Sequence, residues 1–273
     1  MSCRDSRSRE SPRRMPRLGL LGHPSTGRYA KVPSALLRPF ADHQLESVKT
    51  LERDHGWTIG SAVDDTLTMT FRSALQLYFS PGAFRTDHAH EDKACSDNAP
   101  IRLTYIADGH EHHPQPLSTE KRFFLQYMRA QLQSLQQCHV LVKDLLHFIS
   151  CSWQRACHIA EEARMLGVHF RTEPAILSDE KMAVNSSVLL RATKTKVDIA
   201  FEVGIRSGEG VAGLDVTVKP SVRIVYGESL NGKKMGDFLE QKLGAKKAEH
   251  GEGARWVQVI GELEERLIAR GRK

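Results

Sequence analysis

TEKRFFLQYMRAQLQSLQQCHVLVKDLLHFISCSWQRACHIAEEARMLG, Thr119 to Gly167, decides how the rest of the chain must fold. It holds no proline, and its one glycine is its last residue. Phe123, Phe124, Tyr127, Met128, Leu132 and Leu135 recur at steps of three and four, the signature of one helical face. Leu141, Val142, Leu145, Leu146, Phe148, Ile149 and Trp153 continue the pattern as a wider stripe. A helix that is apolar on more than one side needs partners on more than one side. The polar step Gln133-Ser134-Leu135-Gln136-Gln137 divides the stretch into two helices, near 119–135 and near 138–166, with Gly167 as a C-terminal stop. The second helix is expected to pack on structure encoded on both flanks and to fix their orientation, with Phe148, Ile149 and Trp153 in an inter-domain core.

Both flanks read as strands. Upstream, Leu45, Val48 and Leu51 step by three through a short helix over 40–55 that Gly56 ends. Trp57, Ile59 and Val63 then mark a strand and Asp64-Asp65 a turn. Leu67, Met69 and Phe71 alternate with Thr66, Thr68 and Thr70, and Leu75, Leu77 and Phe79 keep the same parity up to Pro81-Gly82. Parity leaves open whether 66–79 is one strand or a hairpin turning at 72–74. Ile101, Leu103 and Tyr105 give another strand. Downstream, Met182, Val184, Val188 and Leu190 share one parity, and Val197, Ile199, Phe201, Val203 and Ile205 form the cleanest strand. Past the glycine-rich turn SGEGVAG come Leu214, Val216 and Val218, then Pro220, which is expected to interrupt or kink the ladder for want of a donor, then Val222, Ile224 and Tyr226. Two helices close the chain, one with Met235, Phe238, Leu239 and Leu243 before Gly244, the other with Trp256, Val259, Ile260, Leu263 and Leu267. Strand runs with short links, followed by helices, indicate an α+β fold of two antiparallel meander sheets packed on helices. The expected boundaries are a tail over 1–40, a first unit over 41–137, and a second over 138–273 that includes the connecting helix.

The formal charge of +6 on 273 residues is not spread over the chain. Nine Lys and Arg against two acids fall in the first forty residues, so the remainder is close to neutral. That Arg/Ser/Pro-rich segment buries too little to offset its ordering entropy and reads as a solvated tail. The globular part does not read as a basic nucleic-acid surface. Cys3, Cys95, Cys138, Cys151 and Cys157 are odd in number and form no CxxC, which argues against a disulfide framework and for a reducing intracellular compartment. No apolar run is long enough to cross a membrane, and no signal-peptide pattern opens the chain.

Catalytic and metal motifs are sparse. His88, His90 and Cys95, then His110, His112 and His113, invite a zinc reading, but both clusters lie in polar loops without paired ligand spacing and read as solvated. GIRSGEGVAG has no GK[ST] and joins two strands, so it reads as a hairpin loop and not as a phosphate cradle. Cys151 and Cys157 sit at helical spacing and read as core or groove residues, not nucleophiles. Asp179-Glu180 and Glu161-Glu162 read as surface carboxylates. No acid/base pair emerges, and no cofactor is implied.

Several long segments carry a resemblance, in order along the chain. GWTIGSAVDDTLTMTFRSALQLYFSP at 56–81, PIRLTYI at 100–106 and PLSTEKRFFLQYMRAQLQ at 116–133 come first. ILSDEKMAVNSSVLL at 176–190, TKVDIAFEVG at 195–204, IVYGESLNGKKM at 224–235 and ELEERLIARGRK at 262–273 follow. Together they resemble the C-terminal region of the fungal kinetochore scaffold of the Knl/Spc family. The resemblance implies tandem RWD domains, relatives of ubiquitin-conjugating enzymes that lack the catalytic cysteine. No HPN tripeptide precedes a cysteine here; His113-Pro114-Gln115 is the comparable string. It also implies a non-catalytic docking module that captures the tail of a MIND complex subunit, at the kinetochore in the nucleus, with a coiled-coil companion of the scaffold as a further partner. Neither a membrane nor direct nucleic-acid binding is implied, and checkpoint signalling, which rests on motif repeats not among these residues, is not carried over. The alternatives are a ubiquitin-pathway enzyme of the same superfamily and a nucleic-acid binder acting through the basic tail.

Docking is expected along an exposed strand edge, where unpaired N–H and C=O groups accept an extended peptide. The strand from Met182 to Leu190 is the expected edge because Asn185, Ser186 and Ser187 interrupt its apolar pattern. Met182, Val184, Val188 and Leu190 would supply pockets, and Lys194 and Lys196 would steer an acidic tail.

Overall fold

The computed structural model describes residues 55–85, 98–106, 116–190, 194–207, 214–228, 230–250 and 255–271. The Arg/Ser-rich tail, nearly all of the helix read at 40–55 and both histidine clusters lie outside the described residues.

Trp57–Val63 (β1), Thr66–Phe71 (β2), Leu75–Phe79 (β3) and Arg102–Tyr105 (β4) form an antiparallel meander in the order β1-β2-β3-β4. The 66–79 segment is a hairpin. Arg72 and Ser73 turn it at φ 46° and 56°, values that L-residues adopt only at some cost. Three contacts repay that cost: Ala74 N–H donates to Phe71 O at 2.9 Å, Arg72 N–H to Gly56 O at 2.9 Å, and Ile106 N–H to Ala74 O at 2.8 Å. Alternation puts Trp57, Met69, Phe71, Leu75, Leu77, Phe79 and Leu103 in the core, while Thr58, Thr70, Gln76 and Thr104 line up across the outer face.

The central stretch is two helices, Thr119–Ser134 (α1) and Val142–His169 (α2). Ser118 caps α1 through Lys121 N–H. Between them, Gln137 behaves like a stretch of strand: its side-chain amide exchanges both hydrogen bonds with the Ala99 backbone. Asn98 accepts from Gln137 N–H at 3.1 Å and donates to Leu135 O at 3.0 Å, and Arg85 N–H donates to Val140 O at 3.0 Å. The polar step read as a break is thus the joint that the β3–β4 connection grips. Gly167 does not stop α2, which runs to His169 and ends at extended Phe170.

Arg171–Ser178 (β5), Lys181–Leu190 (β6), Thr195–Ser207 (β7) and Leu214–Tyr226 (β8) form the second meander, in the order β5-β6-β7-β8. β5 escapes the alternation reading because Pro174 and the Ile176–Leu177 pair break parity; an edge strand tolerates both. Pro220 neither interrupts nor kinks its ladder. β8 is an edge, so the missing N–H faces away from β7, and the register Phe201↔Pro220 runs through it unbroken. Gly232–His250 (α3) continues past Gly244, and Trp256–Gly271 (α4) closes the described chain. No helix is long and apolar enough to cross a membrane, among the described residues.

The fold is therefore α+β, two tandem RWD-like units. The described residues make one compact body with one contiguous core. Phe148, Ile149 and Trp153 are buried on α2. Toward the first sheet, α2 receives Trp57 Nε1 on Ser150 Oγ at 2.7 Å, and the Tyr105 and Trp153 rings meet at 5.9 Å. Toward the second, it contacts β5, β6, β8 and α4. Buried Glu162 accepts Trp256 N–H at 2.7 Å, satisfying a donor in the first turn of α4, and the Trp256 ring stacks on Phe201 at 4.5 Å. Replacing Trp153 with Ala should cost about 3–5 kcal/mol. Urea unfolding followed by far-UV circular dichroism should show one transition for both sheets, displaced to lower denaturant. Two separated transitions in the wild type would contradict a shared core.

Candidate docking surface

β6 is not an edge. It pairs along its length with β5 on one side and β7 on the other. Met182, Val184, Val188 and Leu190 are at most 1% exposed and face the helices, so they are core and not pockets. The polar triplet that suggested an edge has another cause. Ser186 is buried with its Oγ 3.0 Å from Thr172 Oγ1, a paired hydroxyl inside the sheet–helix layer, while Asn185 and Ser187 alternate onto the outer face.

The true edges of this sheet are β5 and β8, and each carries a proline at mid-strand, Pro174 and Pro220. An edge proline removes a donor that an incoming strand would use. β8 is also covered: a Cβ on Gly232 would stand 2.9 Å from Val222 O, so the N-terminus of α3 lies on that edge only because the residue is glycine. Strand addition to the second sheet is blunted at both sides.

What this sheet offers is its outer face. Asp198 accepts from Arg223 Nη2 at 2.8 Å and from Ser187 Oγ at 2.7 Å. These hydrogen bonds, Arg223's first, hold its carboxyl below the usual carboxylate range. Lys181 and Glu202 pair at 3.0 Å, and Arg171 and Glu173 at 2.8 Å. Around them lies a polar depression of about 600 Å³, bordered by Asn185, Ser187, Asp198, Ser221 and Arg223.

Lys194 and Lys196 stand at one end of this face. Lys194 is exposed in the β6–β7 turn at φ 49°. Lys196 is half-buried in β7, between Leu189 of β6 and Tyr226 of β8 in register. This end is pinned from behind. Gly227 has φ 113°, and a Cβ there would sit 2.5 Å from Thr195 Cα; Glu228 N–H donates to Thr195 Oγ1 at 3.0 Å. Three large apolar residues surround the lysines in the open: Leu189 at 54% exposure, Val225 at 45% and Tyr226 at 55%. Val225 is pushed out by a bulge, since Lys196 faces Tyr226 while Val197 faces Ile224. The sequence reading missed these residues, although the doublets Leu189-Leu190 and Val225-Tyr226 carry the signal. In a strand with one buried face, two adjacent apolar residues must put one of them outside.

The two described free cysteines, Cys151 and Cys157, both lie on α2. Burial raises the pKa of the half-buried Cys157 thiol despite Lys121 and Arg72 nearby, the reverse of what a thiolate needs. Cys151 Sγ lies 3.4 Å from His147 Nε2, one turn back on α2. Cys138 is disulfide-bonded, which the sequence reading does not foresee. No group of three metal-ligating residues converges among the described residues. A second concavity, about 490 Å³ between α3 and α4, has Phe238 and Leu263 in its lining and mixed charges, Glu228, Lys234, Asp237 and Arg266, around them.

Two four-stranded meanders on shared helices define a tandem RWD-like fold. Residues 42–160 match the family model described as the Knl1 RWD C-terminal domain, which supports a Knl1-type RWD C-terminal region over that part of the chain. The match spans β1 to β4, α1 and most of α2. Knl1 RWD domains are kinetochore protein–protein interaction modules, a family that is not typically catalytic. No curated protein matches the chain.

The Asp198 cluster makes a pH prediction. Its folded pKa is depressed, so its stabilisation is present above the unfolded value of about 3.9 and lost as pH falls through the folded value. Because the pair is largely solvated, Asp198→Asn should cost less than about 1 kcal/mol at neutral pH. Urea midpoints of variant and wild type should converge in acid; a gap that persists there would assign the effect to packing instead.

Proposed function

We propose that this chain is a non-catalytic docking module of the kinetochore, acting in the nucleus to attach an outer-kinetochore scaffold to the MIND complex by holding the tail of one of its subunits. The observation that carries the proposal is the Knl1-type RWD match over 42–160. Lys194 and Lys196 remain the steering residues in this reading, now on a sheet face instead of beside an edge, and a coiled-coil segment of the same scaffold is a second partner.

The test is a pull-down of recombinant chain against purified MIND complex, repeated with isolated subunit tails. Wild type should retain the complex, and Lys194→Glu/Lys196→Glu should lower association about tenfold at low salt, the difference shrinking as salt rises. Undiminished binding by the double variant at low salt would remove the steering role. A thioester assay with ubiquitin, activating enzyme and ATP should yield no conjugate on Cys151 or Cys157; a conjugate lost on Cys→Ser would overturn the non-catalytic reading.

A further inference from the structure

Eight large apolar residues are exposed among the described residues, and three of them, Leu189, Val225 and Tyr226, meet at one end of one sheet face. They are consecutive across the strands: Leu189 faces Lys196, and Lys196 faces Tyr226. Two strand spacings put Leu189 and Tyr226 about 10 Å apart with a cation between them. Exposed apolar side chains scattered singly mean little, whereas a contiguous group rimmed by charge marks an interaction site.

Charge selects the occupant. Lys194 and Lys196 border the group. The nearest carboxylate on the face, Asp198, is already engaged by Arg223 and Ser187, and Glu228 borders the cleft between α3 and α4. A second copy of this chain seated on the same patch would bring the lysines against each other. A partner with an acid between two apolar residues would pair with Lys196 and cover Leu189 and Tyr226. The patch also continues along β6 and β7 into the polar depression at Ser187 and Asp198, which adds hydrogen-bonding surface to a small apolar anchor. Since both edges of the sheet carry proline, such a segment lies across the strands and is held by side chains.

We infer that the row Leu189–Lys196–Tyr226, with bulged Val225 and Lys194 beside it, is the seat of an acidic peptide segment with flanking apolar residues, docked on the face of the second sheet and not added to its edge. This rests on the docking reading above and gives it a place and a partner chemistry.

The experiment uses the full chain and purified MIND complex, with Leu189→Asp and Tyr226→Asp made singly and together. Both side chains are more than half exposed, so circular dichroism and melting temperature should match wild type. A variant that fails this check is replaced by Leu189→Ser or Tyr226→Ser. The folded double variant should lose at least tenfold in affinity, and a photo-crosslinker at Leu189 should label the subunit tail that the pull-down retains. If wild type binds and the folded double variant binds equally well, the patch is not the seat, while the docking function stands. If wild type does not bind, the docking function itself falls and the patch assignment with it. If light scattering shows a dimer that the double variant dissolves, a second copy is the occupant and the inference is overturned.

Discussion

Helix α2 is apolar on two sides, and one sheet cannot cover both. That constraint organises everything else in the fold. The first sheet reaches it through Trp57 on Ser150 and Tyr105 on Trp153, and the second through β5, β6 and the Glu162–Trp256 clamp. A buried carboxylate is expensive unless its oxygens find donors, so Glu162 specifies where α4 begins as well as where it packs. The joint before α2 is held in the same way, by the Gln137 amide on the Ala99 backbone. Polar groups set the positions, while apolar burial supplies most of the stability.

The sequence conveyed the elements more faithfully than their neighbours. Alternation found β7 because every second residue from Val197 to Ile205 is buried, and the three- and four-step pattern found both central helices and the break between them. Order within the sheet was not legible in the same way. β6 reads as an edge because Asn185, Ser186 and Ser187 interrupt its apolar pattern, yet Ser186, the one of the three at a core position, is satisfied by Thr172 across the strand pair. Such a hydroxyl pair is a long-range fact that no window of sequence contains. The error at β5 has the same root. Its Pro174 reads as a loop signal, and only the presence of β6 beside it makes an edge strand of it.

The candidate site was legible in its charges and not in its apolar part. Lys194 and Lys196 stand out beside a clean strand, but of the apolar residues around them alternation singles out only Tyr226, as one of a strand's apolar set. Exposure at Leu189, Val225 and Tyr226 follows from a doublet, a bulge and a strand end, features that override parity locally. Pro174 and Pro220 each remove a backbone donor from an edge strand of the second sheet, which blunts strand addition there. They also keep the sheet from pairing with its own kind, which matters for a domain type that works within assemblies.

The two hydrogen bonds that fasten α2 have nearly equal reach along the chain, 93 residues from Trp57 to Ser150 and 94 from Glu162 to Trp256. One looks back toward the N-terminus and the other forward. During synthesis the first can close while the residues of α4 are still unmade. The forward bond must wait for the whole second meander, whose own pairings are local and quick by comparison. Until Trp256 arrives, Glu162 lacks that donor and Phe201 its stacking partner, so the last seventeen described residues complete contacts that the earlier part of the body leaves open.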